Sequence, residues 1–195
     1  MNEGFVKLFC LNNAAIQADL ETAVRACGLS SEQTEIEKSA DQLIASYLPQ
    51  FDYEIRLQAE RMAEFYRIFY MLENDIRSLI VSTLEEYGAD WWQEKVPENV
   101  RQNAEKNQVK ELAQGIIPRS NRLIDYTTFG ELSEIIKANW DIFGGMFSRH
   151  DKIGVERVMQ QLNMLRAPIA HCGVLGEEEV VNLKLTVRRW FKIME

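Results

Sequence analysis

Arg166 and His171, in the run Leu165-Arg166-Ala167-Pro168-Ile169-Ala170-His171, are the two residues of this chain whose types and spacing could do chemistry. An imidazole changes charge near neutral pH, so it can take a proton from a ribose hydroxyl or give one to a leaving oxygen. A guanidinium offers a fixed fork of donors to a charged phosphoryl group. Together they form a minimal kit for cutting RNA without a metal. The spacing R-x-x-x-x-H recurs by chance, and the competing reading is a helix-end arginine beside a histidine that caps carbonyls. The other histidine, His150, stands in Arg149-His150-Asp151 and is assigned no role.

The elements that must position this pair are helical. On a straight helix, residues five apart point about 140° away from each other. Pro168 predicts a kink or restart, because it lacks an amide hydrogen and crowds the carbonyl of Met164. Cys172-Gly173 predicts a stop soon after. A kinked turn would bring Arg166 and His171 to one cleft, with both side chains a few ångströms apart. Alternatively, two copies of the segment would meet across a two-fold axis, each site drawing on both chains.

The helical pattern extends along nearly the whole chain. Gly28 reads as a helix stop, and Ser30 with Gln33 as a capping box. Phe65, Phe69, Leu72, Ile76 and Leu79 recur at four, three, four and three, one face of a long helix closed by Gly88. Trp91-Trp92 read as a connector. Pro97 opens a helix to about Gln114, the most polar one, expected at the surface. Thr128 with Glu131 is a second capping box. Leu132, Ile135, Ile136, Trp140 and Phe143 form a face ending at Gly144-Gly145. Glu177-Glu178-Glu179 place negative charge where the dipole of the last helix favours it. Val180, Leu183, Val187, Trp190 and Met194 mark that helix's buried face. No segment alternates long enough for a strand. The expected fold is an all-α, up-and-down helical bundle of about six to seven helices, with an N-terminal helical extension at 1–61 and the main domain at 62–195.

Composition narrows the function classes. The formal net charge is −8, against general coating of nucleic acid. The charge is uneven: residues 145–195 are net +2 and residues 1–144 net −10. A local phosphate cleft on an acidic body fits that distribution, as does a merely uneven surface. Cys10, Cys27 and Cys172 are few and scattered, which reads as reduced thiols, buried as small apolar groups, in a cytoplasmic protein. No signal-peptide pattern and no long uninterrupted apolar run occurs. No cysteine and histidine cluster has metal-ligand spacing, so neither metal nor cofactor is expected.

With those features in order, the chain resembles the HEPN superfamily (higher eukaryotes and prokaryotes nucleotide-binding) over about residues 62–194. The resemblance rests on Phe69-Tyr70-Met71-Leu72-Glu73-Asn74-Asp75-Ile76-Arg77, on Trp91-Trp92, on Ile135-Ile136-Lys137-Ala138-Asn139-Trp140-Asp141-Ile142-Phe143, and on Leu165 to His171 before a closing amphipathic helix. Many members are small helical RNases of antiphage defence, toxin–antitoxin pairs and CRISPR effectors. The resemblance implies an endoribonuclease in which His171 serves as base or acid at the 2′-hydroxyl and Arg166 stabilises the phosphoryl charge. It implies RNA as partner, transfer or messenger, and a homodimer with a composite site, working with an antitoxin or defence-complex partner. Glu73 and Arg77 would line or brace the cleft, or else form an ordinary i,i+4 surface pair. Arg188, Arg189 and Lys192 would hold an RNA backbone, or else lie on a solvated face. Trp91, Trp92 and Trp140 read as core rather than base-stacking residues. The family pattern usually places a polar residue directly after the arginine, and here it is Ala167. The alternative is a non-catalytic HEPN module, an RNA-binding or dimerising adaptor. A third reading, an antitoxin or immunity-like helical protein, rests on acidity alone.

Overall fold

The computed structural model describes residues 42–115, 117–147 and 151–195. The chain divides into two units, residues 1–53 and 54–195. In the first, residues 42–47 are helical and a 3-10 turn follows at Leu48–Gln50. The Gly28 stop, the Ser30–Gln33 box, Cys10, Cys27 and His150 lie outside the described residues.

Among the described residues every regular element is helical and no strand occurs, so the protein is an all-α bundle. The second unit is built on α1, Tyr53–Glu85, which belongs to it from Glu54 onward and runs unbroken through residues 61 and 62. Its core line is Phe65, Phe69, Leu72, Ile76, Ile80 and Leu84. Leu79 sits half-buried beside that line, and Ile80 takes the expected place. The spacing drifts from seven residues per two turns to eight because 3.6 residues per turn does not keep a strict heptad on one face. Gly88, at φ +133°, turns the chain where other residues would be strained. Trp91 and Trp92 are not in a connector but open the short α2, Trp91–Lys95. Their rings meet edge to face at 5.6 Å and pack against the core, which spares two large apolar rings from solvent.

The polar helix, α3 (Glu98–Ala113), lies at the surface and buries only Val100 and Ala104. It docks through a ladder of asparagines four residues apart. Asn99 donates to Glu134 at 2.9 Å, Asn103 to Glu131 at 3.0 Å and Asn107 to the Tyr126 carbonyl at 3.1 Å. Positions i, i+4 and i+8 share a helix face, so amides do here what apolar side chains do elsewhere.

α4 (Phe129–Ala138) starts on the Thr128–Glu131 box, with both reciprocal bonds present. It ends earlier than its apolar stripe suggests. Asn139 turns its side-chain amide onto the carbonyls of Ile135 and Lys95, at 2.9 and 2.8 Å. That competition with the backbone breaks the helix, and α5 (Trp140–Phe143) is separate. α6 (Lys152–Ala170) begins on Asp151, whose carboxylate accepts from Gly154 N at 2.8 Å. α7 (Glu177–Met194) carries the three glutamates in its first turn.

Ile76, Ile80, Leu84, Leu132, Ile135, Leu162 and Leu183 are fully buried where α1, α4, α6 and α7 meet. Each contributes about 1.5–3 kcal/mol by leaving water. Trp140 stacks on Phe147 at 5.6 Å, and Phe147 meets the buried Trp190 edge-on at 6.0 Å. No described helix is long and apolar enough to cross a membrane.

Candidate functional site

The end of α6 holds the pair singled out by the sequence. The helix does not restart at Pro168 but runs through it to Ala170. Proline removes a single donor here, the one owed to Met164, and only two helical residues follow it. The next carbonyls are closed by a Schellman turn. Cys172 N donates to Ile169 O at 3.4 Å and Gly173 N to Pro168 O at 2.7 Å. Cys172 takes the left-handed position at φ 57°. That placement makes it exposed and free, not a buried apolar group.

Five residues of helical rotation put Arg166 and His171 on different faces, and only Arg166 lines the cleft beside α1. Arg166 turns inward. Its Nε donates to Glu73 Oε2 at 2.8 Å, joining α6 to α1. The other oxygen of Glu73 accepts from Arg77 Nη2. Arg77 also donates to the Thr127 carbonyl at 3.0 Å and to Asn74 Oδ1 at 3.3 Å. One carboxylate, 11% exposed, therefore holds two guanidiniums, and Arg77 is pinned to the chain entering α4. Arg77 is held by these contacts through its terminal nitrogens, and its Nε is buried without a partner among the described residues. Arg166, one-third exposed, keeps its two terminal amino groups without a protein bond among the described residues. A guanidinium fixed through Nε with its far edge open is oriented for a bidentate anion.

Arg166 lines a cleft of about 490 Å³ together with α1, the end of α6 and the loop 119–125. Arg77, Arg119, Arg122 and Arg166 line it against Glu73 and Asp125, an excess of two positive charges on a chain of net −8. The loop is folded by short-range bonds. Ser120 Oγ donates to Asp125 at 2.5 Å, and Tyr126 OH to the Ser120 carbonyl at 2.9 Å. Arg122 forks onto Asp125 through Nε and Nη2, both at 3.0 Å. Arg119 pairs with Glu111 and lies over the Tyr126 ring, 5.2 Å from its centre. Its hydrogen bond holds the Glu111 carboxyl below the usual carboxylate range. In return, the hydrogen bond from Glu111 raises Arg119 further above its ordinary value.

His171 does not line this cleft. It is the exposed C-cap residue, one position beyond the lining residue Ala170. It shares an exposed face of α6 with Met164 and Ala167. The structure thus gathers Arg166, Glu73 and Arg77, and leaves His171 outside. Arg188, Arg189 and Lys192 are exposed on α7 and line no part of the cleft. Trp91, Trp92 and Trp140 are partly buried against the core. Among the described residues no group of three or more His, Cys, Asp or Glu forms a metal-ligand set.

Sequence reasoning overlooked Arg119 and Arg122. The available signal was Pro118-Arg119-Ser120-Asn121-Arg122, two arginines three apart in a turn-forming run on an acidic chain. Tyr66 and Tyr70 were overlooked too, because an exposed i,i+4 aromatic pair resembles the edge of a core stripe.

No curated protein and no solved structure matches the chain. The family model described as Swt1-like HEPN matches residues 67–195, from within α1 through α7, and so takes in Glu73, Arg77, Arg119, Arg122, Arg166 and His171. The chain belongs to the Swt1-like HEPN family.

Proposed function

We propose that the protein is a metal-independent endoribonuclease, acting as a homodimer in antiphage defence or a toxin–antitoxin system. The observation that carries this reading is the fixed Arg166 in a cationic cleft, one turn before an exposed His171 on a HEPN chain. A scissile phosphate seated in the cleft accepts two hydrogen bonds from the open edge of Arg166, which stabilise the charge that grows on the phosphoryl oxygens. The 2′-oxygen of the adjacent ribose attacks that phosphorus. Its proton passes to an imidazole as the bond to the 5′-oxygen breaks, and a proton is delivered to that leaving oxygen.

His171 lies outside the cleft of its own chain, so the composite site depends on a partner copy. The exposed face of α6 with Met164, Ala167 and His171 pairs with its symmetry mate and brings two imidazoles, an acid and a base, to one groove that continues into the cleft past Ala170. A stable pairing buries about 1,200–2,000 Å². Arg188, Arg189 and Lys192 add outer contacts to the RNA backbone. The test is incubation with transfer and messenger RNA in the presence of a chelator. Cuts are expected that disappear in His171→Ala and Arg166→Ala, from a protein that scatters light as a dimer. Equal residual cutting by wild type and both variants sinks the reading.

The exposure of His171 and the apolar Ala167 favour a second reading, an RNA-binding HEPN adaptor without catalysis. RNA binding that Arg166→Ala weakens, with no cleavage by the dimer, selects it.

A further inference from the structure

The cleft holds more than a charge stabiliser. Tyr66 and Tyr70 stand one turn apart on α1 and both line it. Their side chains are about 60% exposed, 60% and 61%, and the ring centres are 6.3 Å apart, tilted by 35°. Phe65, Phe69 and Leu72 of the same helix are buried to 6% or less. The core line thus takes the apolar residues that flank and separate the two tyrosines and leaves their exposed rings lining the cleft. Two neighbouring exposed rings offer flat apolar faces to a ligand in the cleft. A ring pair beside guanidiniums is the arrangement that holds an unpaired base next to its phosphate.

The loop 119–125, which also lines the cleft, supplies the phosphate ligands. Arg119 and Arg122 are 57% and 62% exposed. Each is oriented by a carboxylate, Glu111 or Asp125, and neither is consumed by it, since a guanidinium carries five donors. Asp125 is itself tied down by Ser120, so the loop is braced before any ligand arrives. Arg166, which we assign to the scissile phosphate, lies on the α6 wall of the same cleft. The cleft volume of about 490 Å³ lies in the range of small-ligand sites and suits one nucleotide rather than a duplex.

We propose that Tyr66 and Tyr70 form a stacking platform for one unpaired base, that Arg119 and Arg122 hold the phosphate flanking the scissile one, and that the protein therefore selects single-stranded RNA. This rests on the ribonuclease reading for the place of the scissile phosphate, but not for the binding itself. Duplex RNA is excluded because its bases are stacked on each other and expose no face to the tyrosines.

The experiment is fluorescence anisotropy with a short, labelled, 2′-O-methyl single-stranded RNA, which has no attacking hydroxyl. The full chain is compared with three double variants. Tyr66→Leu with Tyr70→Leu weakens binding about 5–150-fold per stacked base, the equivalent of about 1–3 kcal/mol. Tyr66→Phe with Tyr70→Phe keeps the rings and binds like wild type. Arg119→Gln with Arg122→Gln flattens the dependence of log affinity on log salt by about 0.7 per lost phosphate contact. The same sequence as a duplex binds more weakly than the single strand. Leu variants that bind like wild type, Phe variants that bind as weakly as the Leu pair, an unchanged salt slope, or a duplex that binds as tightly each overturn the proposal. Stacking-dependent binding without cleavage of ordinary RNA removes only the ribonuclease reading. Cleavage with no tyrosine effect removes only this one.

Discussion

The cleft and the outer face of α7 carry similar numbers of basic side chains and differ in everything else. In the cleft, Arg77, Arg119, Arg122 and Arg166 come from three separate segments and converge on one space. Each is met by a carboxylate: Glu73 holds two of them, Glu111 and Asp125 one each. On α7, Arg188, Arg189 and Lys192 follow one another along the exposed face of a single helix, and among the described residues Arg189 reaches only Gln161, at 3.5 Å. A flexible cation in water attracts any anion weakly and is screened by salt. A guanidinium whose orientation is already fixed loses little entropy when a phosphate arrives. Convergence and bracing make a site, and the count of charges does not.

The largest expected effect tests that contrast directly. Arg166→Ala lowers cleavage by about 10²–10³-fold, the scale of removing one oxyanion donor. Replacing Arg188, Arg189 and Lys192 together by glutamine leaves kcat unchanged and weakens RNA binding mainly at low salt. Stability moves by less than about 0.5 kcal/mol, as for ordinary surface changes. A kcat that falls as far in the α7 triple variant as in Arg166→Ala breaks the comparison.

Glu73 comes next, because it distinguishes bracing from charge. Glu73→Gln adds net positive charge to the cleft, so a count of charges predicts tighter binding and faster cleavage. Bracing predicts the opposite for kcat. Losing the shared carboxylate leaves two partly covered guanidiniums with a weaker acceptor. We expect about 2–3 kcal/mol of destabilisation, below the 3–5 kcal/mol of a fully buried pair because Arg166 is one-third exposed. The kinetic signature is a fall in kcat of about ten- to a hundredfold with KM nearly unchanged, since Arg166 loses its aim and not its charge. A rise in kcat, or an effect on KM alone, shows that Glu73 is not the positioning residue.

The two regions also differ in how far the sequence reveals them. The amphipathic face of α7, the stripe on α1, the Gly88 stop and the Thr128–Glu131 box all depend on residues a few positions apart, so spacing alone exposes them. The break at Asn139 does not, because the amide that ends α4 is recruited by the Lys95 carbonyl, 44 positions away. The cleft is harder still. Glu73 and Arg166 are 93 positions apart, and the family resemblance pointed to both without their contact. Arg119 and Arg122 sit in a loop with no periodicity, positioned by Tyr126, Asp125 and Glu111. The expected restart at Pro168 is absent for a local reason: a proline with only two helical residues after it costs one bond in a turn that is already closing.

The smallest effect lies in the loop arginines and is read by pH. Arg119 lowers the Glu111 carboxyl from its ordinary value of 4.5 in the folded protein. A carboxyl with a lowered folded value binds protons less readily when folded than when unfolded. Stability from the pair is therefore fully present above about pH 4.5 and is lost as pH falls through the lowered folded value. Glu111→Gln removes the contribution at every pH. The thermal midpoint of wild type should exceed that of Glu111→Gln at neutral pH by a small margin, and the two should converge in acid. Arg188→Gln, at a side chain with no carboxylate partner among the described residues, should show no such convergence. If the Glu111→Gln difference stays constant down to strongly acid pH, the pair does not brace Arg119 through its charge, and the cleft loses one of the features that set it apart from α7.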